Sequence, residues 1–170
     1  SRPLGNGRIL QNRMKMFAIF SAVFGILVAF TINIQVLILQ LLYLSLGILY
    51  STEPVRLKKR FLLKQITIVG GMILANISGG LTLGIINTPI LYLTTLNAFF
   101  GFTMSPLTDI RDIKGDKIRG VKSIPVVWGP EMTIRLSLAV LVASEIATLI
   151  GYSRLGFSLA LPLLFSIIII

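Results

Sequence analysis

The sequence predicts an all-α protein, a polytopic transmembrane helical bundle. Three observations carry that prediction. Hydrophobic residues make up 55% of the 170, with a mean hydropathy of +0.91, a composition too apolar for a soluble domain of this length. The apolar residues gather in runs long enough to cross about 30 Å of hydrocarbon, and such runs recur along the whole chain. Each run is apolar on every side, whereas a transmembrane barrel would alternate polar and apolar residues.

Six spans follow in order, all within a single domain over residues 1–170. The first, roughly 16–32, comes after a basic segment holding Arg2, Arg8, Arg13 and Lys15, and ends at the uncharged link Ile32-Asn33-Ile34-Gln35. The second, roughly 35–50, runs into a second basic segment with Arg56, Lys58, Lys59, Arg60 and Lys64. A third, roughly 65–84, returns to a turn near Asn87-Thr88-Pro89, from which a fourth, roughly 88–106, leads back to Arg111, Lys114, Lys117, Arg119, Lys122 and Arg135. The fifth and sixth, roughly 133–151 and 155–170, are joined at Tyr152-Ser153-Arg154. If the spans simply alternate, every Lys and Arg except Arg154 falls on one side. That asymmetry places the basic loops in the cytoplasm, so the protein is expected in the cytoplasmic membrane with its chemistry on the cytoplasmic face. The same placement accounts for the formal charge of +10 without nucleic acid.

Composition narrows the chemistry further. No cysteine and no histidine are present, which excludes thiolate and imidazole metal sites and histidine general bases. A metal must be held by oxygen, which favours magnesium, manganese or calcium. Gly70-Gly71, Gly79-Gly80 and the Gly80-to-Gly84 spacing read as close helix approaches. Asn76 and Asn97 lie at membrane depth and need partners, in a neighbouring helix or a ligand cavity, and Asn97 is a candidate substrate contact. Glu145 is the only acid inside a span and is expected to reach the outer interface or a polar neighbour; Trp128 reads as an interfacial anchor.

All three aspartates, Asp109, Asp112 and Asp116, fall within eight residues. On one helix the i, i+3, i+7 spacing would stack them on a single face, where three like charges need a counter-ion. Magnesium suits such a site, binding through one or two carboxylates and completing its shell with water and phosphate oxygens. Two other readings stay open. A solvated juxtamembrane helix could pair its acids with Arg111, Lys114, Lys117 and Arg119. A transporter or cation-pathway subunit would continue polar groups through the spans, where only Glu145 is found.

The full run Asp109-Ile-Arg-Asp112-Ile-Lys-Gly115-Asp116-Lys-Ile-Arg-Gly120-Val-Lys-Ser123-Ile-Pro125-Val-Val-Trp-Gly129 resembles the second aspartate-rich motif of the UbiA superfamily of intramembrane prenyltransferases. That motif has the pattern D-x-x-D-x-x-G-D, a basic stretch, then G-V-x-[ST]-[IL]-P-V. Arg2-Pro3-Leu4 with Gly7-Arg8-Ile9 is similar to the segment after the family's first aspartate motif, and Tyr50 to Lys58 is similar to its tyrosine-to-lysine loop. The resemblance covers essentially the whole chain. It implies a bundle of about nine spans around a central cavity, and transfer of an isoprenoid chain from a polyprenyl diphosphate to an acceptor. It implies Mg2+ held by Asp112 and Asp116 with Asp109 assisting. Lys58 and Arg56 would neutralise the diphosphate, Arg2 could join them, and Tyr50 would be a polar wall near the allylic carbon. Phe99, Phe100 and Phe102 could shelter an allylic cation, or pack against lipid. The family's first motif and last spans are absent, so the chain is expected to be a fragment, inactive alone. Met104-Ser105-Pro106-Leu107-Thr108 departs from the Arg-Glu and Lys that many relatives carry there. The pattern is most similar to the branch acting on glycerol-phosphate ether lipids of the geranylgeranylglyceryl phosphate type, followed by enzymes acting on aromatic quinone precursors or tetrapyrroles. The implied partners are a polyprenyl diphosphate, a lipid or aromatic acceptor and membrane lipids.

Overall fold

The structure, a computed structural model, describes residues 10–169. Eight helices follow in order: α1 (Gln11–Ile32), α2 (Ile34–Ser51), α3 (Leu63–Thr82), α4 (Thr88–Ile110), α5 (Ile113–Ile118), α6 (Ile124–Trp128), α7 (Pro130–Leu155) and α8 (Ala160–Ile169). One 3-10 turn, Leu57–Lys59, stands between α2 and α3, and there is no strand among the described residues. The architecture is all-α. Five helices, α1 to α4 and α7, are long and apolar enough to cross a membrane. The expected sixth span corresponds to α8, which is ten residues long among the described residues and too short to span. The link before it also moves: Tyr152–Arg154 continue α7, which ends only where Gly156 takes φ +70.

The long helices pack in chain order, α1 on α2, α2 on α3, α3 on α4, α4 on α7, and α7 on α8. Short links enforce that order. Asn33 is the single residue between α1 and α2; its Oδ1 accepts from the Val36 N–H at 2.8 Å, and its Nδ2 donates to the Leu81 carbonyl of α3 at 3.2 Å. Asn87 caps α4 in the same way, accepting from the Ile90 N–H, with Pro89 in the first turn, where its missing N–H costs nothing. Beyond its polar start, Gln11 to Lys15, α1 is largely apolar on every side, buries only Ala29, and exposes Phe17, Phe20 and Phe30, as a lipid-facing helix does.

Small polar residues fill the α4–α7 seam. Thr133, Ser137, Ser144, Thr148 and Gly151 are buried along one face of α7, against an α4 face that buries Thr94, Gly101 and Thr103. Most of these hydroxyls donate back into their own helix, as Thr103 does to the Phe99 carbonyl and Ser144 to the Val140 carbonyl, so the seam itself is held mainly by close packing. Gly151 admits the Tyr92 ring, which stacks on Phe157 at 5.0 Å and donates its hydroxyl to the Ala147 carbonyl at 2.6 Å. Of the glycines read as close approaches, Gly71 and Gly80 meet neighbours, whereas Gly79 and Gly84 meet none. Glu145 accepts from Ser166 of α8 at 2.9 Å, the polar neighbour it needs. Asn76 donates to its own helix at Met72. Trp128 packs edge-on against Phe61 at 5.2 Å.

One proline sets up the contact that matters for the site. Pro106 lies inside α4 and cannot donate to the Phe102 carbonyl one turn earlier. Buried Gln65 of α3 donates to that orphaned carbonyl at 3.3 Å and to Gly101 beside it at 3.1 Å. The first turn of α3 therefore clasps α4 just before the aspartates.

Candidate functional site

The aspartates do not share one continuous helix. Asp109 lies in the last turn of α4, Asp112 occupies the N-cap position of α5, and Asp116 sits within α5. The chain breaks at Arg111–Asp112, where the Asp112 N–H bonds only three residues back, to the Asp109 carbonyl at 3.0 Å. α5 then closes through Gly120, whose φ of +66 lets the Val121 N–H return to the Asp116 carbonyl at 2.9 Å. The expected single-faced stack is replaced by two frames, the end of long α4 and the short α5, that turn the carboxylates into one space.

That space is a cavity of about 690 Å³, lined by Tyr50, Arg56, Lys58, Lys59, Lys64, Asp109, Asp112, Asp116, Arg119 and Val121. Five cations and three carboxylates give it an excess of positive charge, so it suits a polyanion accompanied by a metal ion. The basic side is built after α2. Arg56 takes a left-handed backbone (φ +37), uncommon for a side-chain-bearing residue. Its guanidinium donates to Glu53 at 2.6 Å, and that hydrogen bond holds the Glu53 carboxyl below its usual range. The buried Arg56 Nε has no partner among the described residues, a donor left for an incoming oxygen. Lys59 stands 3.7 Å from Glu53. The Lys122 N–H donates to the Lys59 carbonyl at 3.0 Å, fastening the basic segment to the aspartate segment.

The three carboxylates differ in state. Lys64 of α3 reaches both oxygens of Asp109 at 2.6 Å, with both side chains largely buried. Buried Asp116 accepts from Arg119 at 3.2 Å. Asp112 is half-buried with neither ion pair nor hydrogen bond to its side chain among the described residues. The three carboxylates line one cavity, but no ready-made cage of three acids is formed among the described residues, and Lys64 occupies one of them. The donor set is nonetheless all oxygen, and an unpartnered carboxylate beside a buried one fits Mg2+, which takes one or two carboxylates and keeps its waters.

Tyr50 also lines a second, mostly apolar groove of about 410 Å³ between α2 and α3, with Tyr43, Leu46, Gly47, Thr67, Ile68, Gly71, Met72 and Ala75. Polar cavity and apolar groove thus meet at one residue, Tyr50.

Of the residues singled out in the sequence, the structure brings together Tyr50, Arg56, Lys58, Asp109, Asp112 and Asp116. Asn97 does not join them: it lies twelve residues before Asp109 on α4, about 18 Å along the axis, and outside the cavity wall. Arg2 lies outside the described residues, as do Pro3, Leu4, Gly7, Arg8 and Ile9. In the sequence, Lys59, Lys64 and Arg119 stand out only as topology-setting charges or ion-pair partners. A lysine followed by a glutamine at the mouth of an apolar span was the signal available for Lys64, but its partner lies 45 residues away.

Comparison with known proteins shows the family and the fold. The model of the UbiA prenyltransferase family matches residues 1–170. Among curated relatives, the digeranylgeranylglyceryl phosphate synthase of Thermococcus sibiricus is 29% identical over 155 residues, 88% of this chain and 52% of the relative. The enzyme of the same name from Sulfurisphaera tokodaii is 31% identical over 158 residues, 89% of this chain and 54% of the relative. The bacteriochlorophyll synthase 33 kDa chain of Rhodobacter capsulatus is 25% identical over 149 residues, covering 82% and 48%. The chain thus spans about half the length of the curated relatives it matches. A UbiA homolog from Archaeoglobus fulgidus, solved bound to DMAPP and Mg2+, shares the fold with a TM-score of 0.74 at 24% identity, over 99% of this chain and 57% of that one.

Proposed function

The chain belongs to the UbiA prenyltransferase family, and from that premise we propose that it forms the central part of a Mg2+-dependent intramembrane prenyltransferase acting on a glycerol-phosphate ether lipid. The observation that carries the reading is the meeting, at Tyr50, of a cation-rich cavity holding three carboxylates with an apolar groove. An isoprenoid diphosphate has that shape: a polyanionic head and a greasy tail. The reaction breaks the allylic C1–O bond, releasing pyrophosphate, while an acceptor hydroxyl oxygen bonds to C1 and gives up its proton. Asp112 and Asp116, with Asp109, would hold Mg2+, which would supply charge neutralisation at the leaving pyrophosphate. Arg56 and Lys58 bind and orient the head and take up the negative charge that develops as the bond breaks. Tyr50 orients the allylic carbon at the junction. The excess of Lys and Arg in the loops supports a site on the cytoplasmic face of the cytoplasmic membrane.

The names of the archaeal relatives support geranylgeranyl transfer to geranylgeranylglyceryl phosphate. The full-length protein in detergent is expected to form the digeranylgeranyl ether from that acceptor and geranylgeranyl diphosphate with Mg2+, and to lose activity in EDTA. Product with a tetrapyrrole or aromatic acceptor alone would move the assignment to that branch; no transfer to any acceptor would overturn it.

The groove makes a separate prediction about chain length. A side chain at Gly47 would enter open space on the groove wall. Gly47→Phe is expected to lower kcat/KM for geranylgeranyl diphosphate at least about tenfold relative to geranyl diphosphate. An equal effect on the two donors would remove the tail from this groove.

A further inference from the structure

We propose that Lys64 is an exchangeable internal counter-ion: Asp109 trades it for a divalent cation, and the released ammonium pairs with the anionic head of the diphosphate. The proposal rests on the diphosphate reading of this cavity. Its ground is the geometry of the ion pair. Lys64 Nζ stands 2.6 Å from both Asp109 oxygens, so a cation that recruits Asp109 must first displace the lysine. Both side chains are largely buried, 15% and 13% exposed, and a buried charge stripped of its partner is strongly disfavoured. Exchange is therefore favourable only when an anion arrives with the metal.

Lys64 lines the same cavity, so it reaches such an anion without leaving its helix, and a flexible point charge with three donors can change partners in place. Gln65 holds α3 to α4 independently through the Gly101 and Phe102 carbonyls, so release of Lys64 does not undo the clasp. The other aspartate pair differs: Arg119 is 54% exposed and 3.2 Å from Asp116, a partly solvated contact that water can replace. Lys64 thus makes metal and diphosphate binding mutually dependent.

Calorimetric titration of the purified full-length protein tests this, using Mn2+ alone and inorganic pyrophosphate with or without Mg2+. In Lys64→Met, Mn2+ alone should bind at least about tenfold tighter, the scale of one pK unit of charge interaction, while pyrophosphate with Mg2+ binds weaker by a similar factor. Asp109→Asn is the independent arm and decides the matter should Lys64→Met fail to fold. By freeing Lys64 it should tighten pyrophosphate binding in EDTA by about tenfold. A merely structural ion pair would move both variants toward weaker binding of everything. Unchanged or weaker Mn2+ binding in Lys64→Met, or unchanged metal-free pyrophosphate binding in Asp109→Asn, overturns the exchange while wild-type binding of Mg2+–pyrophosphate leaves the diphosphate reading standing. Wild-type protein that binds no pyrophosphate under any condition overturns that reading, and the exchange with it.

Discussion

Asp112→Ala is expected to lower kcat/KM of the full-length protein by about 10³-fold or more, the scale of removing one group from a preorganised charge-stabilising set, while the protein still inserts and folds. The separation of the two effects comes from the state of this carboxylate. Asp109 is clamped by Lys64 and Asp116 is held by Arg119, so changing either disturbs packing or leaves a cation unpaired. Asp112 occupies the N-cap position of α5 without capping it, and has no ion pair among the described residues. Truncating it removes the proposed metal ligand and little else. Turnover under saturating Mg2+, measured beside the thermal unfolding midpoint, checks both halves. Activity within a few-fold of the parent would end the proposed role of Asp112, and a collapsed midpoint would make it structural.

The second large effect is expected at Lys58. Arg56 and Lys59 share Glu53, Lys64 holds Asp109 and Arg119 holds Asp116. Lys58 alone among the five lining cations has no carboxylate partner among the described residues. Its charge is uncommitted, so it is the one most able to follow charge developing on the leaving pyrophosphate. Lys58→Met should cost about 10²-fold, chiefly in kcat, because the interaction strengthens as the C1–O bond breaks. Lys58→Arg should recover part of the loss by restoring charge with a different shape. A rise in KM with unchanged kcat would instead mark Lys58 as a ground-state anchor for the head group.

The spans were legible because length and hydropathy alone decide them: α1, α2, α3, α4 and α7 each begin or end within a few residues of where the apolar runs do. The cation-rich side was legible too, through Tyr50, Arg56, Lys58 and the aspartates, whose types and order carry the resemblance. The break at Arg111–Asp112 was not. Neither glycine nor proline stands between Asp109 and Asp112, and the spacing fits a continuous helix as well as an interrupted one. Lys64 and Gln65 were hidden for another reason. Their partners lie 45 and 36 residues away, and only the packing of α3 on α4 pairs them. Asn97 differs in the opposite direction: a polar residue at membrane depth invites a ligand role, but it lines neither the cavity nor the groove.

The break also has a mechanical meaning. Asp109 rides on a helix anchored by α3 and α7, whereas Asp112 and Asp116 ride on a six-residue helix resting mainly on α6. A ligand that draws on both frames rivets a light part to a heavy one. Amide protons of Ile113 to Ile118 should then exchange with deuterium more slowly when Mg2+ and pyrophosphate are both added, giving a readout of occupancy that needs no turnover.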